Sequence, residues 1–255
     1  MNPMTVSLVV FGCVLGGTLG GIWLRGILPK HHLDAESKDT VKVGIGLIAT
    51  MTALVLGLVT ASAKSSFDST NATVKQAAMT ILAIDRALAR YGPEAEVIRK
   101  NLQQALKIRI EQIWGQGLST RTELDATNIE PGLSAERLAE DIRALTPHDE
   151  SQRTAQARAL ELIEALLQAR WLVAGGGDTS VPVPFLSVLV FWLTLTFASF
   201  GVFAPRNATV LAVLIVCALS VSSALFLVLE MDGPFDGLIK ASADPLRYAL
   251  AHINQ

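Results

Sequence analysis

The sequence predicts an all-α membrane protein with four transmembrane helices and a helical soluble domain inserted between helices 2 and 3. Its composition is one reason: 51% of the 255 residues are hydrophobic and 17% are charged, whereas ordinary soluble domains have about 25% charged residues. The distribution is the other reason, because long apolar segments lie toward both ends of the chain and the charged residues are concentrated between them. The net charge of −2 provides no positive field that would attract nucleic acid.

The first two apolar segments predict a membrane part at residues 1–63. A helix needs about 20 apolar residues to cross the bilayer, and the first segment runs from about Thr5 to Ile27 with Arg25 as its one charged residue. A cleaved signal peptide would have Lys or Arg before its apolar region. No Lys or Arg precedes this segment, so we expect it to be retained as a transmembrane helix. The second segment runs from about Val43 to Ala63.

The last two apolar segments predict a transmembrane hairpin at residues 179–231. They run from about Val183 to Ala204 and from about Ala208 to Leu229, with three residues between them. Four spans put both termini and the insert on one side of the membrane. Lys and Arg near the span ends divide five against five, so the positive-inside rule does not choose that side. Nothing like an export signal precedes the insert, so we expect it to be cytoplasmic, with a C-terminal tail at 232–255 packed on the same side.

The insert at residues 64–178 is predicted to begin as a continuation of the second span. No Gly or Pro lies between Gly57 and Gly92. Apolar residues recur every seven positions in this segment, which keeps one apolar face on a helix: Phe67, Val74, Ile81 and Leu88. Gly92-Pro93 is typical of a helix end followed by a new helix start. The new helix is predicted to run from about Pro93 to Trp114 and to turn a set of apolar residues inward: Val97, Ile98, Leu102, Leu106, Ile110 and Ile113.

The rest of the insert is predicted to contain a loop and two further helices. Residues 115–132 are polar and indicate a loop. Ser134 is a plausible N-cap for a short helix, and an Ala- and Leu-rich helix follows from about Asp149 to Val173. Three consecutive glycines at 175–177 indicate a linker into the third span.

Small residues in the first span indicate close helix packing. Gly12, Gly16 and Gly20 are four residues apart, a spacing that lets helix backbones approach in lipid. This ridge packs either within one subunit or against a second subunit. No ionisable residue lies near the centre of a span, which argues against a proton relay or a charge-coupled transporter but leaves a passive pore open.

Enzymatic chemistry has little support in the sequence. No nucleophile, base and orienting group follow a known catalytic pattern, and the four histidines lack the spacing of metal ligands. We therefore expect no enzyme, no cofactor and no metal site. Asp85 and Arg86 either form a buried charge pair or, as neighbours on different helix faces, each find another partner. Glu230, Asp232 and Asp236 either bind a cation such as calcium or form an acidic helix exit: both interpretations stay open.

Three segments resemble the bacterial bestrophin-like membrane proteins, a family with a domain of unknown function and a remote likeness to bestrophins. The segments are TASAKSSFD at 60–68, IDRALARYGPE at 84–94 and LEMDGPFDGLIK at 229–240, followed by Ser242, Pro245 and Leu246. They occur in the family's order and extend the resemblance over nearly the whole chain. Gly233 departs from the polar or basic residue expected at its position.

The resemblance implies an oligomeric ion channel in the bacterial inner membrane. Bestrophins are pentameric anion channels with four transmembrane helices per subunit and a large cytosolic helical part, which implies a homo-oligomer here, with a pentamer favoured, a cytosolic helical vestibule, and inorganic anions such as chloride as the conducted species. The lipid bilayer and further copies of the chain are the implied partners. The calcium clasp of bestrophins matches this chain only by location, at the acidic exit of the fourth span.

The resemblance also implies a hydrophobic pore neck, and the second span is the best candidate to carry it. One face of this span could form a constriction that gates by dewetting: Ile48, Met51, Val55 and Leu58. The alternative is that this face packs on the first or fourth span of the same subunit.

The residues of the three motifs are candidates for a membrane-face site or an ion site: Lys64, Phe67, Asp68, Asp85, Arg86, Tyr91, Glu230, Asp232, Pro234, Phe235 and Asp236. Under the structural alternative, the motifs fix the insert on the membrane part. Lys64 would then pair with Glu230 or Asp232, and residues 232–235 would form a turn. The competing function is a membrane-anchored scaffold or regulatory protein whose helical insert binds a partner.

Overall fold

The structure is a computed structural model that describes residues 2–29, 35–115, 135–175, 183–205, 207–233, 235 and 237–254. These residues form α-helices and turns, and no strand occurs in these ranges. The helices are α1 (Pro3–Ile27), α2 (Ala35–Tyr91), α3 (Glu96–Trp114), α4 (Ala135–Arg143), α5 (Glu150–Gly175), α6 (Val183–Phe203), α7 (Ala208–Met231) and α8 (Asp244–His252). The all-helical prediction is confirmed.

Among the described residues, four helices are long and apolar enough to cross a membrane, and they contain the four predicted spans: α1, α2, α6 and α7. Asn2 caps α1 by accepting a hydrogen bond from the Met4 N–H, and Asn207 caps α7 in the same way through the Thr209 N–H. As predicted, α2 runs past the second span without a break. It begins eight residues earlier than its apolar stretch, at Ala35, in a polar segment where Asp39 and Lys42 form an i,i+3 ion pair.

The chain folds as two compact units. The first unit consists of Met1–Phe67 and Thr179–Ile239, and the second unit consists of Asp68–Asp178 and Lys240–Gln255. The second unit thus combines most of the predicted insert with the last residues of the chain.

In the first unit, α1 packs against α6 and α7. Their apolar faces form one core: Val10, Val14, Leu189, Leu193, Phe197, Ala218 and Leu225. Helices α1 and α6 run parallel, since Gly17 lies against Thr194 and Gly21 lies against Ala198. A methyl group on Gly17 would lie 2.7 Å from the Thr194 carbonyl oxygen, so the absence of a side chain is what permits this approach. Cys13 and Cys217 are exposed on this unit.

In the second unit, the end of α2 packs its seven-residue apolar face inward, as predicted: Val74, Ile81 and Leu88 are buried, together with Ala78 and Asp85. Helix α3 buries Ile98, Leu102, Leu106 and Ile110. The prediction that Val97 also points inward was wrong. Its side chain is 67% exposed, because Val97 and the buried Ile98 are consecutive and therefore about 100° apart around the helix.

Two other predictions in this unit need correction. Helix α5 continues to Gly175, two residues beyond its predicted end, and takes up the first glycine of the predicted linker. The tail contains a helix, α8, that was not predicted from the sequence. At the start of this helix, the Ser242 hydroxyl accepts a hydrogen bond from the Asp244 N–H and donates one to the Asp244 carboxylate. The predicted loop from 116 onward, Ser134 and the rest of the glycine linker lie outside the described residues.

Candidate functional site

The apolar part of α2 is the least covered of the four spans. Only 6% of its most apolar stretch is buried, against 22–28% for the other three helices. One side of α2 does pack within the first unit, where Val55 and Leu56 contact the core of α1, α6 and α7, and Ala63 contacts Val228. The other side is exposed along about four turns: Val43, Leu47, Met51, Leu54 and Leu58.

This arrangement divides the four residues predicted for a pore neck. Met51 and Leu58 are 47% and 67% exposed, and Ile48 is partly exposed. Val55 instead packs against the core of its own unit. The two interpretations of this helix face therefore apply to different residues: Val55 supports the packing alternative, and Met51 and Leu58 lie on a face available to a pore, to lipid or to another subunit.

The glycines of α1 divide in a similar way. Gly17 and Gly21 face α6, where a methyl group on Gly21 would lie 3.0 Å from the Val202 nitrogen and even closer to Ala198. Gly12, Gly16 and Gly20 have open space where their side chains would be. The close approach within the unit thus uses the neighbouring glycines, and the predicted ridge forms a separate, uncovered face of α1.

Glu230 lies in the last turn of α7, and its carboxylate contacts the backbone that follows the helix. Its side chain is buried, and its Oε1 accepts a hydrogen bond from the Leu238 backbone N–H. Gly237 adopts φ = 87°, and a methyl group there would collide with the Glu230 carboxylate. A carboxylate that accepts backbone N–H groups is well satisfied when buried, so Glu230 acts here as the anchor of the chain reversal after α7.

The other predicted residues of this motif are less closely defined. Asp232 ends α7 as its C-cap residue, and Phe235 is partly buried. Pro234 and Asp236 lie outside the described residues. Lys64 is exposed and Phe67 partly buried on α2. The pairing of Lys64 with Glu230 or Asp232 stays a prediction.

In the second unit, Asp85 pairs with Arg99 of α3. The Asp85 side chain is fully buried, and the Arg99 guanidinium donates from Nε to Oδ1 at 2.7 Å and from Nη2 to Oδ2 at 3.1 Å. The hydrogen bond with Asp85 raises the pKa of Arg99 above its ordinary value. Arg86 is exposed, as expected for adjacent residues that point to different helix faces.

The sequence contains a signal for this pair that the motif-based prediction missed. Asp85 lies seven residues before Gly92, and Arg99 lies seven residues after it. Because Gly92-Pro93 joins two helices that fold back on each other, residues at equal distances from the junction come together.

Two glutamines of α5 donate hydrogen bonds to carbonyl groups at the C-terminal ends of α2 and α4 in the second unit. Gln152 Nε2 donates to the Tyr91 carbonyl at the end of α2, while Gln152 Oε1 accepts from the His148 N–H. One turn later, Gln156 Nε2 donates to the Ile142 and Leu145 carbonyls at the end of α4. Buried Tyr91 thus belongs to a helix junction, where the positive φ of Gly92 completes the helix end.

The tail is bonded to α3 by two side chains of the same unit. Trp114 Nε1 donates to the Ala241 carbonyl at 2.7 Å, and Asn254 Nδ2 donates to Gln103 Oε1 at 2.9 Å. The final residues of the chain therefore stabilise α3 directly. Within the described ranges, no group of three or more His, Cys, Asp or Glu side chains is arranged to hold a metal ion.

The three motifs lie within a domain shared with other proteins. A model of the bestrophin-like domain matches residues 12–246. The chain belongs to the bestrophin-like family. The family match includes α2, the Asp85–Arg99 pair and the Glu230 turn, so the recognition made from the three motifs is confirmed. The curated proteins and the solved structures compared with the chain gave no match.

The contacts of this bestrophin-like chain give four of its motif residues a structural interpretation. Glu230 fixes a turn, Asp85 anchors α2 to α3, and Tyr91 with Gly92 forms a helix junction. These four motif residues thus shape the scaffold. Among the described residues, the apolar face of α2 is, beside the glycine face of α1, a helix surface that the first unit leaves uncovered.

Proposed function

We propose that this protein is an oligomeric membrane ion channel, conducting anions such as chloride, in which α2 lines the pore. The observation that carries the proposal is the uncovered apolar face of α2. A helix that buries one side in its own subunit and leaves the opposite side apolar over four turns suits a position between a subunit and a shared axis. The bestrophin-like family supports the anion-channel assignment, with a pentamer as the favoured assembly.

In this proposal Met51 and Leu58 form the narrow part of the pore. Both are exposed on the same face of α2, seven residues or two turns apart. Apolar side chains in a narrow pore exclude water and therefore ions until the constriction is widened or wetted. The second unit and both termini lie on the cytoplasmic side of the bacterial inner membrane in this proposal, and the second units of the subunits form the vestibule.

The test combines subunit counting with chloride flux. Native mass spectrometry of detergent-purified protein should show a ring of at least four subunits. In proteoliposomes, Met51→Ser and Leu58→Ser should each raise chloride flux above wild type, because a hydroxyl wets the constriction. Leu219→Ser is the matched control: Leu219 is an apolar residue of α7 with 56% exposure, and its replacement should leave flux unchanged.

Two outcomes would contradict the proposal. A stable monomer or dimer would exclude an axial pore and favour the membrane-anchored scaffold. A ring in which neither α2 variant conducts, with folding intact, would show that the exposed face of α2 is a contact surface and not a pore.

A further inference from the structure

A small pocket in the first unit lies at the end of the helix bundle opposite the Glu230 turn. Its volume is about 240 Å³, and it lies between the end of α1 and the start of α7, bounded by the turn after α6. Ile22 and Arg25 of α1 form one wall, and Ala208, Leu211 and Leu214 of α7 form another. Since each residue of a helix adds about 1.5 Å, the α7 wall extends roughly 9 Å along the helix axis.

The pocket has a charged end and an apolar end. Arg25 carries the charge among the described lining residues, and it lies near the end of α1 beside the turn at Ala204 and Pro205. Ile22 is one turn further into the span, and Leu214 is nearly two turns from the start of α7. The polar end is therefore at the membrane surface and the apolar end is in the hydrocarbon layer.

Trp23 supports this placement. Its side chain is 70% exposed and lies two residues before Arg25. Exposed Trp residues near the ends of transmembrane helices lie at the level of the lipid headgroups, so Arg25 is at the depth where lipid phosphates are found.

Arg25 caps the C-terminal end of α6 with one nitrogen of its guanidinium. Arg25 Nη1 donates to the Ala204 carbonyl after the last turn of α6, a favourable place for a cation. A guanidinium has five N–H donors, and one bond to a carbonyl leaves others for an anionic oxygen.

We propose that this pocket binds an anionic phospholipid, with its phosphate at Arg25 and one acyl chain along Ile22, Leu211 and Leu214. Charge complementarity selects the headgroup, and the apolar walls select a lipid over a free anion. The pocket is smaller than the 300–1,000 Å³ typical of sites that enclose a ligand, which suits a lipid that stays partly in the bilayer. The proposal depends on membrane insertion but not on channel activity.

The test is lipid binding to the delipidated full-length protein in detergent, followed by native mass spectrometry. Phosphatidylglycerol and phosphatidylcholine with identical dioleoyl chains are titrated separately. Wild type should bind phosphatidylglycerol about tenfold more tightly, a difference of roughly 1.4 kcal/mol. Both lipids offer the same phosphate to Arg25, but the trimethylammonium group of phosphatidylcholine offsets the phosphate charge and is repelled by the guanidinium. Arg25→Gln, which retains an N–H donor for the Ala204 carbonyl, should lose this preference.

Two further variants separate the pocket from general charge effects. Lys42→Gln removes one positive charge near the start of the second span, where Lys42 pairs with Asp39 on the surface, and should keep the preference. Ala208→Phe fills the pocket while Arg25 is retained, and should weaken phosphatidylglycerol binding. This variant also tests the proposal independently if Arg25→Gln does not fold.

Several results would overturn the proposal. Equal binding of the two lipids would rule out selection of an anionic lipid. An intact preference in Arg25→Gln, or an equal loss in Lys42→Gln, would rule out recognition by Arg25. Unchanged lipid binding in Ala208→Phe would exclude the pocket. A changed subunit number in Ala208→Phe, without a change in bound lipid per subunit, would assign the pocket to a subunit contact.

Discussion

Replacement of Arg99 by Met should destabilise the second unit more than replacement of an exposed charged residue on the same helix does. The variant keeps a side chain of similar length but leaves the Asp85 carboxylate, which is fully buried, without its two charged donors. Removing one partner of a buried ion pair costs about 3–5 kcal/mol. We expect the lower end, about 3 kcal/mol, because Arg99 retains 15% side-chain exposure and water can partly reach the vacated position.

The adjacent residue provides the matched control. Lys100 forms an ion pair with Glu96 at 2.7 Å on the same helix, but both side chains are largely exposed, at 66% and 59%. Lys100→Met breaks a salt bridge of the same length and should lower stability far less than Arg99→Met, because solvent screens exposed charges. Comparison of the two variants thus isolates the effect of burial.

Hydrogen exchange followed by mass spectrometry is the suitable assay, because it reports stability for separate segments of the intact protein. Peptides from α3 and from residues 68–91 of α2 should exchange roughly 100-fold faster in Arg99→Met, since each 1.4 kcal/mol corresponds to a factor of ten. The double variant Asp85→Leu with Arg99→Met should recover most of the protection, because no charge then stays buried. Equal exchange in Arg99→Met and Lys100→Met would refute the reasoning.

Two glycine pairs give further predictions for thermal unfolding of the detergent-purified protein. Gly21→Ala should lower the free energy of unfolding by about 1–3 kcal/mol, because its methyl group would collide with the α6 backbone. Gly20→Ala places its methyl group in open space and should not lower stability. Equal melting temperatures of the two variants would contradict the α1–α6 packing. Gly237→Ala should cost at least about 1–2 kcal/mol from its left-handed backbone, plus a collision with Glu230. Gly233→Ala meets no atom within 4 Å and should be near neutral, and a reversed order would refute the Glu230 turn.

Much of the helix layout could be predicted from local pattern. The length of the apolar segments predicted the four spans, and the lack of Gly or Pro between Gly57 and Gly92 predicted that α2 continues past its span, because these features depend on neighbouring residues alone. The tail helix α8 was missed because it is only nine residues long, and a helix this short is stabilised mainly by packing, here on α3.

The candidate sites depended more on contacts between distant residues. The sequence could place Asp85 on the buried face of α2, but it left Arg86 and other partners open, and only the fold of α3 against α2 brought Arg99 to the carboxylate. The pore-neck prediction shows the same limit. Helical spacing placed Val55 and Met51 on one broad face, but in the structure Val55 is partly buried against the core of the first unit and Met51 is exposed.

The sequence by itself determined the membrane spans, the order of the helices and the family, because hydrophobic length and short motifs are properties of contiguous residues. The tertiary structure decided which glycines of α1 permit the contact with α6, which carboxylate is paired and which carboxylate holds a turn. It also decided which face of α2 is left for lipid, a pore or another subunit. The physical reason is that burial and pairing arise between segments far apart in the chain, where periodicity limits the options but the packing partner selects among them.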